Sequence, residues 1–170
     1  MRCVNMIEVD LAVLVIIDVQ TKMLAAIGSN TPDQIVERIG KLVQAAELFD
    51  IPVLFTEQYP AGLGETDARL KESLQGRGAP IIKNTCSCWR DEVFRGALQK
   101  TGREHVIVAG LETHVCIQQT VLDLIRVDYV PFVPVDACSS RFAGDASTAV
   151  ERMRRGRGND NGRIAPVRAG

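Results

Sequence analysis

Apolar and polar positions along this 170-residue chain switch repeatedly between a strand-like and a helix-like pattern. Residues 11–19 (LAVLVIIDV) are an almost unbroken apolar run rich in β-branched side chains, which predicts a strand buried on both faces. Beyond it, Ile35, Ile39, Leu42, Val43 and Ala46 recur at helical spacing. Thr31 supplies a cap and Pro32 a first-turn residue, so a helix opens there. Residues 52–56 (PVLFT), 80–83 (PIIK), 105–110 (HVIVAG) and 129–135 predict four more strands. The last carries Pro131 and Pro134, which suit an edge or irregular strand. Helices are expected near 68–74, over 91–100 and 113–125, and from Asp145 to Met153, with a turn-rich loop at 59–64. Strands that alternate with helices at this spacing predict an α/β fold: three layers, α/β/α, around a central parallel sheet of Rossmann-like topology.

The pattern changes past Met153. Residues 151–170 hold six arginines against Glu151 and Asp160, a local net of +4, while the chain as a whole carries −1. RRGRGNDNGR has no apolar period, and the only apolar cluster beyond it is 164–167. The division expected is one domain over 1–153 and an atypical basic tail over 154–170.

Composition narrows the function. A net charge near zero gives no field to draw in nucleic acid or an anionic membrane, and 5% aromatics leaves few platforms for stacking bases. No apolar run approaches the ~20 residues a membrane helix needs, and Glu8 and Asp10 stand where a secretory leader carries basic residues. The location expected is cytoplasmic. Five cysteines, an odd number, read as free thiols in a reducing compartment. Cys86 and Cys88 form C-x-C, and the only histidines are His105 and His114, so neither a metal site nor any other cofactor is expected.

In parallel α/β sheets, ligands sit beyond the carboxyl ends of the strands. Three residues stand at that rim: Asp18 after the first strand, Lys83 at the end of the third, and Cys116 at the start of the helix after the fourth. Singly, each has a bland reading: a cap, a solvated edge lysine, a small buried hydrophobe. Together they make a chemical set. A helix N-terminus and an ammonium both favour thiolate, and a carboxylate beside the thiol takes its proton and returns it to a leaving group.

These segments resemble the isochorismatase-like cysteine hydrolases. VIVAGLETHVCIQQTVLDL (106–124) is similar to that superfamily's nucleophile motif, and LVIIDVQ (14–20) to its first strand and acid. TEQYPAGLGET (56–66), IIKNTCSCW (81–89) and DACSSR (136–141) resemble its other motifs, so the likeness runs from about Ala12 to Met153. It implies the isochorismatase-like fold, with Asp18 as general acid/base, Lys83 orienting and stabilising charge, and Cys116 attacking. It also implies a non-proline cis bond at Leu111–Glu112, which would aim the amides of Leu111, Glu112 and Cys116 at an oxyanion. Gln20, Tyr59 and Trp89 become candidates for the pocket wall.

Departures from the resemblance matter too. Nicotinamidases of the superfamily bind a metal through an Asp and histidines after strand two. TEQYPAGLGE has no His, so the likeness is to small metal-free members. True isochorismatases lack the nucleophilic Cys. The implied reaction is cleavage of an amide-type C–N bond of a small molecule through a Cys thioester, in a homo-oligomer, with no nucleic acid or membrane partner. His114 lies two residues from Cys116, a spacing that points apart on a helix, and is assigned a surface or supporting role. Two other function classes stay in view. One is a non-catalytic oligomeric scaffold with the same fold; the other is a thiol redox protein using Cys86, Cys88 and Cys116. Relatives usually add a sixth strand and a last helix past Met153. A frame change near that point would account for their absence.

Overall fold

A computed structural model describes residues 6–156 and 166–167. The elements run β1 (Ala12–Ile17), α1 (Thr21–Leu24), α2 (Pro32–Leu48), β2 (Val53–Gln58), α3 (Pro60–Leu63), α4 (Ala68–Ser73), β3 (Ile81–Lys83), α5 (Glu92–Thr101), β4 (His105–Leu111), α6 (Gln118–Arg126), β5 (Val130–Pro134), β6 (Cys138–Ser139), α7 (Ala143–Arg155) and β7 (Pro166–Val167). All six residues of β1 are buried, and their alternation serves both faces. Leu14 and Ile16 pack with Ile35, Ile39 and Val43 of α2 and Leu70 of α4. Val13, Val15 and Ile17 pack with Phe94 and Leu98 of α5, Val121 and Leu124 of α6, and Met153 of α7. Each such side chain taken fully out of water contributes ~1.5–3 kcal/mol, and for that reason the run had to be continuously apolar.

The sheet order is β3-β2-β1-β4-β5-β7, and every paired strand runs parallel. The chain leaves β1 toward β2 and β3, then crosses back to β4. The carboxyl ends of β1 and β4 therefore flank a topological switch point, where such folds hold their ligands. β5 pairs with β4 only at His105–Ile107, and β6 takes over at Gly110 and Leu111. Local chemistry sets the helix starts. Thr31 and Gln34 form a reciprocal capping box on α2, and Asp91 accepts the Phe94 amide of α5 at 3.0 Å.

Gly110 is fixed by a close approach. Its φ is +132°, and a Cβ built there would lie 2.1 Å from the Ile17 carbonyl oxygen. Only glycine lets β4 lie this near the residue preceding Asp18.

Several expectations need correction. The Leu111–Glu112 bond is trans, and there is no cis peptide among the described residues. The turn is made instead by Glu112 in the left-handed region, φ +50°. The helix expected over 113–125 divides into a π turn, Thr113–Ile117, and α6, which starts at Gln118. The loop at 59–64 contains α3, and β6 was not anticipated. Past Met153, α7 continues to Arg155, and Pro166–Val167 pairs in parallel with Val133–Pro134 of β5. A two-residue strand carries no period to detect, and β5 offered it an open edge. The remainder of the basic tail, 157–165 and 168–170, lies outside the described residues. No described helix is long and apolar enough to cross a membrane.

Two predictions follow from this packing. Gly110→Ala should destabilise the protein by about 3 kcal/mol or more, because neither the backbone angle nor the Ile17 carbonyl can yield; urea unfolding measures it. The second concerns buried thiols. Burial pushes Cys88 and Cys138 up to about 12 from their ordinary 9.0, and Cys116 also rises. These groups keep their protons in the folded state and lose them near pH 9 once unfolded. The unfolded chain then binds fewer protons, so stability present below pH 9 is lost as pH rises toward 12. The slope is at most ~1.4 kcal/mol per pH unit per thiol. Unfolding midpoints should fall across this range, and less steeply in Cys138→Ala.

Candidate active site

The strand-end residues converge. Asp18 follows β1 with φ +53°, a left-handed conformation that an Asp tolerates better than most residues, and is fully buried. Its Oδ1 accepts the Thr56 hydroxyl at 2.7 Å and its Oδ2 accepts Lys83 Nζ at 2.7 Å. Lys83, the last residue of β3, is also fully buried. Its ammonium donates to Gln58 Oε1 at 2.6 Å and to the Thr85 carbonyl at 3.1 Å, and lies 3.8 Å from Cys116 Sγ. Cys116 sits in the π turn and is 5% exposed. Thr120 donates its hydroxyl to the Cys116 carbonyl at 2.7 Å and accepts the Cys88 amide at 2.9 Å, which ties the turn to the segment after β3.

The electrostatics differ from the expectation of a ready thiolate. Burial, then the negative charge of Asp18, push the Cys116 thiol well above its ordinary value, and Lys83 opposes them without prevailing. The resting group is a neutral thiol whose sulfur lies 3.8 Å from Lys83 Nζ. Burial works against the charge on Lys83, yet the Asp18 carboxylate 2.7 Å away helps to offset it, and the lysine pKa stays above its ordinary value. Lys83 thus keeps its charge, and Cys116 keeps its proton.

The other candidates are placed as follows. Gln20 is fully buried, and its amide is spent on backbone: it accepts the Gln58 amide at 2.7 Å and donates to the Gln58 and Gly64 carbonyls. It clamps the end of β2 to the following loop. Tyr59 is 58% exposed, in the left-handed region at φ +38°, with its amide on the Lys83 carbonyl at 3.3 Å. Trp89 is half-buried and stacks at a tilt on Tyr129, centroids 5.5 Å apart. Leu111 is buried at the end of β4. Glu112 is buried with its Oε1 on Arg141 Nε at 2.9 Å. His114 turns away from the thiol toward Ser140 Oγ, 3.0 Å from its Nδ1. Cys86 is exposed and Cys88 is fully buried. Sequence reasoning missed the contributions of Thr56, Gln58 and Thr120. Gln58 was within reach of it, because it ends β2 just as Lys83 ends β3.

Comparison with known proteins identifies the family. The Isochorismatase domain family model matches residues 12–162. The chain belongs to the isochorismatase family. The mouse isochorismatase domain-containing protein 2A is 34% identical over 143 residues, which are 84% of this chain and 66% of that protein. The zebrafish isochorismatase domain-containing protein 1 is 39% identical over 115 residues, 68% of this chain but 40% of that protein. This member of the isochorismatase family thus spans roughly two-fifths to two-thirds of those relatives. Among solved structures, the MAR1 ribonuclease of Caenorhabditis elegans superposes with a TM-score of 0.82 at 31% identity, over 95% of this chain and 78% of that one. The Escherichia coli YcaC gene product, an octameric hydrolase of unknown specificity, gives 0.82 at 25% identity, over 95% and 76%. The isochorismatase-family fold and its parallel sheet are those the strand pattern called for.

The charges around the thiol lead to opposite effects for two substitutions. Asp18→Asn removes a group that raises the Cys116 pKa, so iodoacetamide labelling of Cys116 at a fixed pH should accelerate, by roughly tenfold for each pH unit the pKa falls. Lys83→Ala removes the group that lowers it, so labelling should slow. Mass spectrometry of the labelled peptide, with thermal unfolding to confirm folding, measures both.

Proposed function

We propose that the protein is a cysteine hydrolase that cleaves the amide-type C–N bond of a small molecule, with Cys116 as nucleophile, Asp18 as general acid/base and Lys83 as its charged brace. The observation that carries this reading is the buried Lys83 ammonium, 2.7 Å from the Asp18 carboxylate and 3.8 Å from the Cys116 sulfur, at the switch point of the sheet. Asp18 takes the thiol proton, and the sulfur attacks the carbonyl carbon, forming the C–S bond. The oxygen becomes an anion received by the amides at Leu111, Glu112 and Cys116. The tetrahedral adduct collapses, the C–N bond breaks, and Asp18 returns its proton to the leaving amine. Water then gives a proton to Asp18 and attacks the thioester; the C–S bond breaks and sulfur recovers that proton.

The Lys83 ammonium, 2.7 Å from Oδ2, pairs with Asp18 in the parts of this cycle where the carboxylate carries no transferred proton. A closed, water-poor site strengthens both interactions. Tyr59, exposed at the rim beside Lys83, is the wall residue best placed to meet substrate. The working form is a homo-oligomer, as YcaC is an octamer, and the setting is cytoplasmic.

The test is hydrolysis of a panel of small primary and secondary amides, with intact-mass detection of an acyl adduct. Cys116→Ala should abolish turnover, a loss of roughly a thousandfold or more, and Asp18→Asn should cost about a hundredfold or more. Adduct mass on the parent but not on Cys116→Ala supports the reading. A single-stranded RNA enters the same panel, because the Caenorhabditis elegans relative is a ribonuclease. Hydrolysis that survives Cys116→Ala, or RNA cleavage with no amide turnover, overturns it.

A further inference from the structure

A cavity of 320 Å³ has none of Asp18, Lys83 and Cys116 in its wall. It is lined by Ser29 and Asn30 before α2, Thr113 of the π turn, Val135 and Cys138 of the β5–β6 segment, and the face of α7 that presents Ser147, Val150 and Arg154. Nothing in the proposed hydrolysis uses it.

Two features mark this cavity as a ligand site. The first is Thr113, which is 1% exposed and whose Oγ1 has no hydrogen-bond partner. A buried hydroxyl without a partner is costly, and native structures nearly always satisfy it. The second is Arg154. It is the one charged residue lining the cavity, and among the described residues no carboxylate lies within ion-pair distance of its guanidinium. The remaining wall is fixed and mostly apolar. Asn30 donates its Nδ2 to the Cys138 carbonyl at 3.1 Å, and Ser147 donates to the Gly144 carbonyl at 2.9 Å, so both side chains are held in place. The Cys138 thiol, held neutral by burial, presents an inert apolar surface rather than a nucleophile or metal ligand.

We infer that this cavity is a binding site for a small organic acid: a carboxylate paired with Arg154, a short aliphatic body against Val135, Cys138 and Val150, and a hydroxyl or carbonyl hydrogen-bonded to Thr113. A single cation opposite a neutral hydrogen-bonding group selects a monoanion with a polar far end. The volume stands at the small end of the ~300–1,000 Å³ range of ligand pockets, which suits a small ligand. Because Thr113 opens the turn that holds Cys116, an occupant would touch the nucleophile's own segment.

Isothermal titration of the full chain with 4-hydroxybutyrate tests the inference, with 1,4-butanediol as the uncharged counterpart. Saturable binding of the acid, weaker by roughly tenfold in Arg154→Gln and weakened again in Thr113→Val, is the result expected. The diol should bind more weakly than the acid. Ser147 is exposed at the edge of the cavity, so Ser147→Trp fills it without disturbing the core, and it should abolish binding even where Thr113→Val fails to fold. No saturable heat at millimolar acid, or affinity indifferent to Arg154→Gln and Ser147→Trp, overturns the proposal. These readouts do not involve turnover, so they stand or fall separately from the hydrolase reading.

Discussion

The structure turns on one buried ion pair. Asp18 and Lys83 have no exposed side-chain surface, and they join the ends of two strands that are not neighbours: β2 lies between β1 and β3. Taking two charges out of water costs several kcal/mol per ion, and their attraction repays this only where every remaining donor and acceptor is met. Here they are met. Thr56 fills the second oxygen of Asp18, and Gln58 and the Thr85 carbonyl take the other protons of Lys83. A fold built for stability alone would do as well with apolar residues in these places. Charges retained under this cost, at the switch point, mark the pair as the candidate site.

The pair in turn constrains the strands around it. Asp18 reaches its position only because β4 lies close against β1 at Gly110, and because the backbone at Asp18 itself turns left-handed. Gln58 is held from behind by Gln20, whose amide is wholly committed to backbone groups of Gln58 and Gly64. The sequence Asp18-Val19-Gln20 thus does two jobs within three residues. Its first member enters the site, and its third aligns the neighbouring strand that steadies Lys83.

How much of this could be read from the chain differs by level. The parallel sheet followed from β1, because a strand buried on both faces must be apolar at every position and no other element mimics that over residues 11–19. That Asp18, Lys83 and Cys116 would come together could be read because all three stand at strand ends and each is unusual for its local pattern. The supporting residues were hidden for a physical reason. Thr56, Gln58 and Thr120 act through contacts across strands, which sequence spacing does not reveal. Trp89 lies in a motif loop, and the partner of its ring, Tyr129, is 40 residues away in sequence and could not be read from spacing. The π turn escaped notice because its residues satisfy an α-helical pattern equally well. The short β6 and β7 escaped because two residues carry no period.

The buried thiol ties these levels together. A nucleophile in open solvent beside a lysine would rest as thiolate and react with any electrophile that reached it. Cys116 rests protonated because burial and Asp18 together outweigh Lys83. In the proposed mechanism Asp18 then has two effects of opposite sign: it opposes the thiolate when the site is idle, and it would serve as the base that generates the thiolate when a carbonyl carbon arrives to receive the electrons. In that mechanism Lys83 would make these effects compatible, since its charge steadies whichever partner is anionic at each step. Removing the base should therefore speed unselective alkylation while slowing turnover, a divergence that a merely structural Asp18 would not produce. The same arrangement explains why the ammonium is fully buried: only out of water is one positive charge strong enough to be shared between a carboxylate and a sulfur.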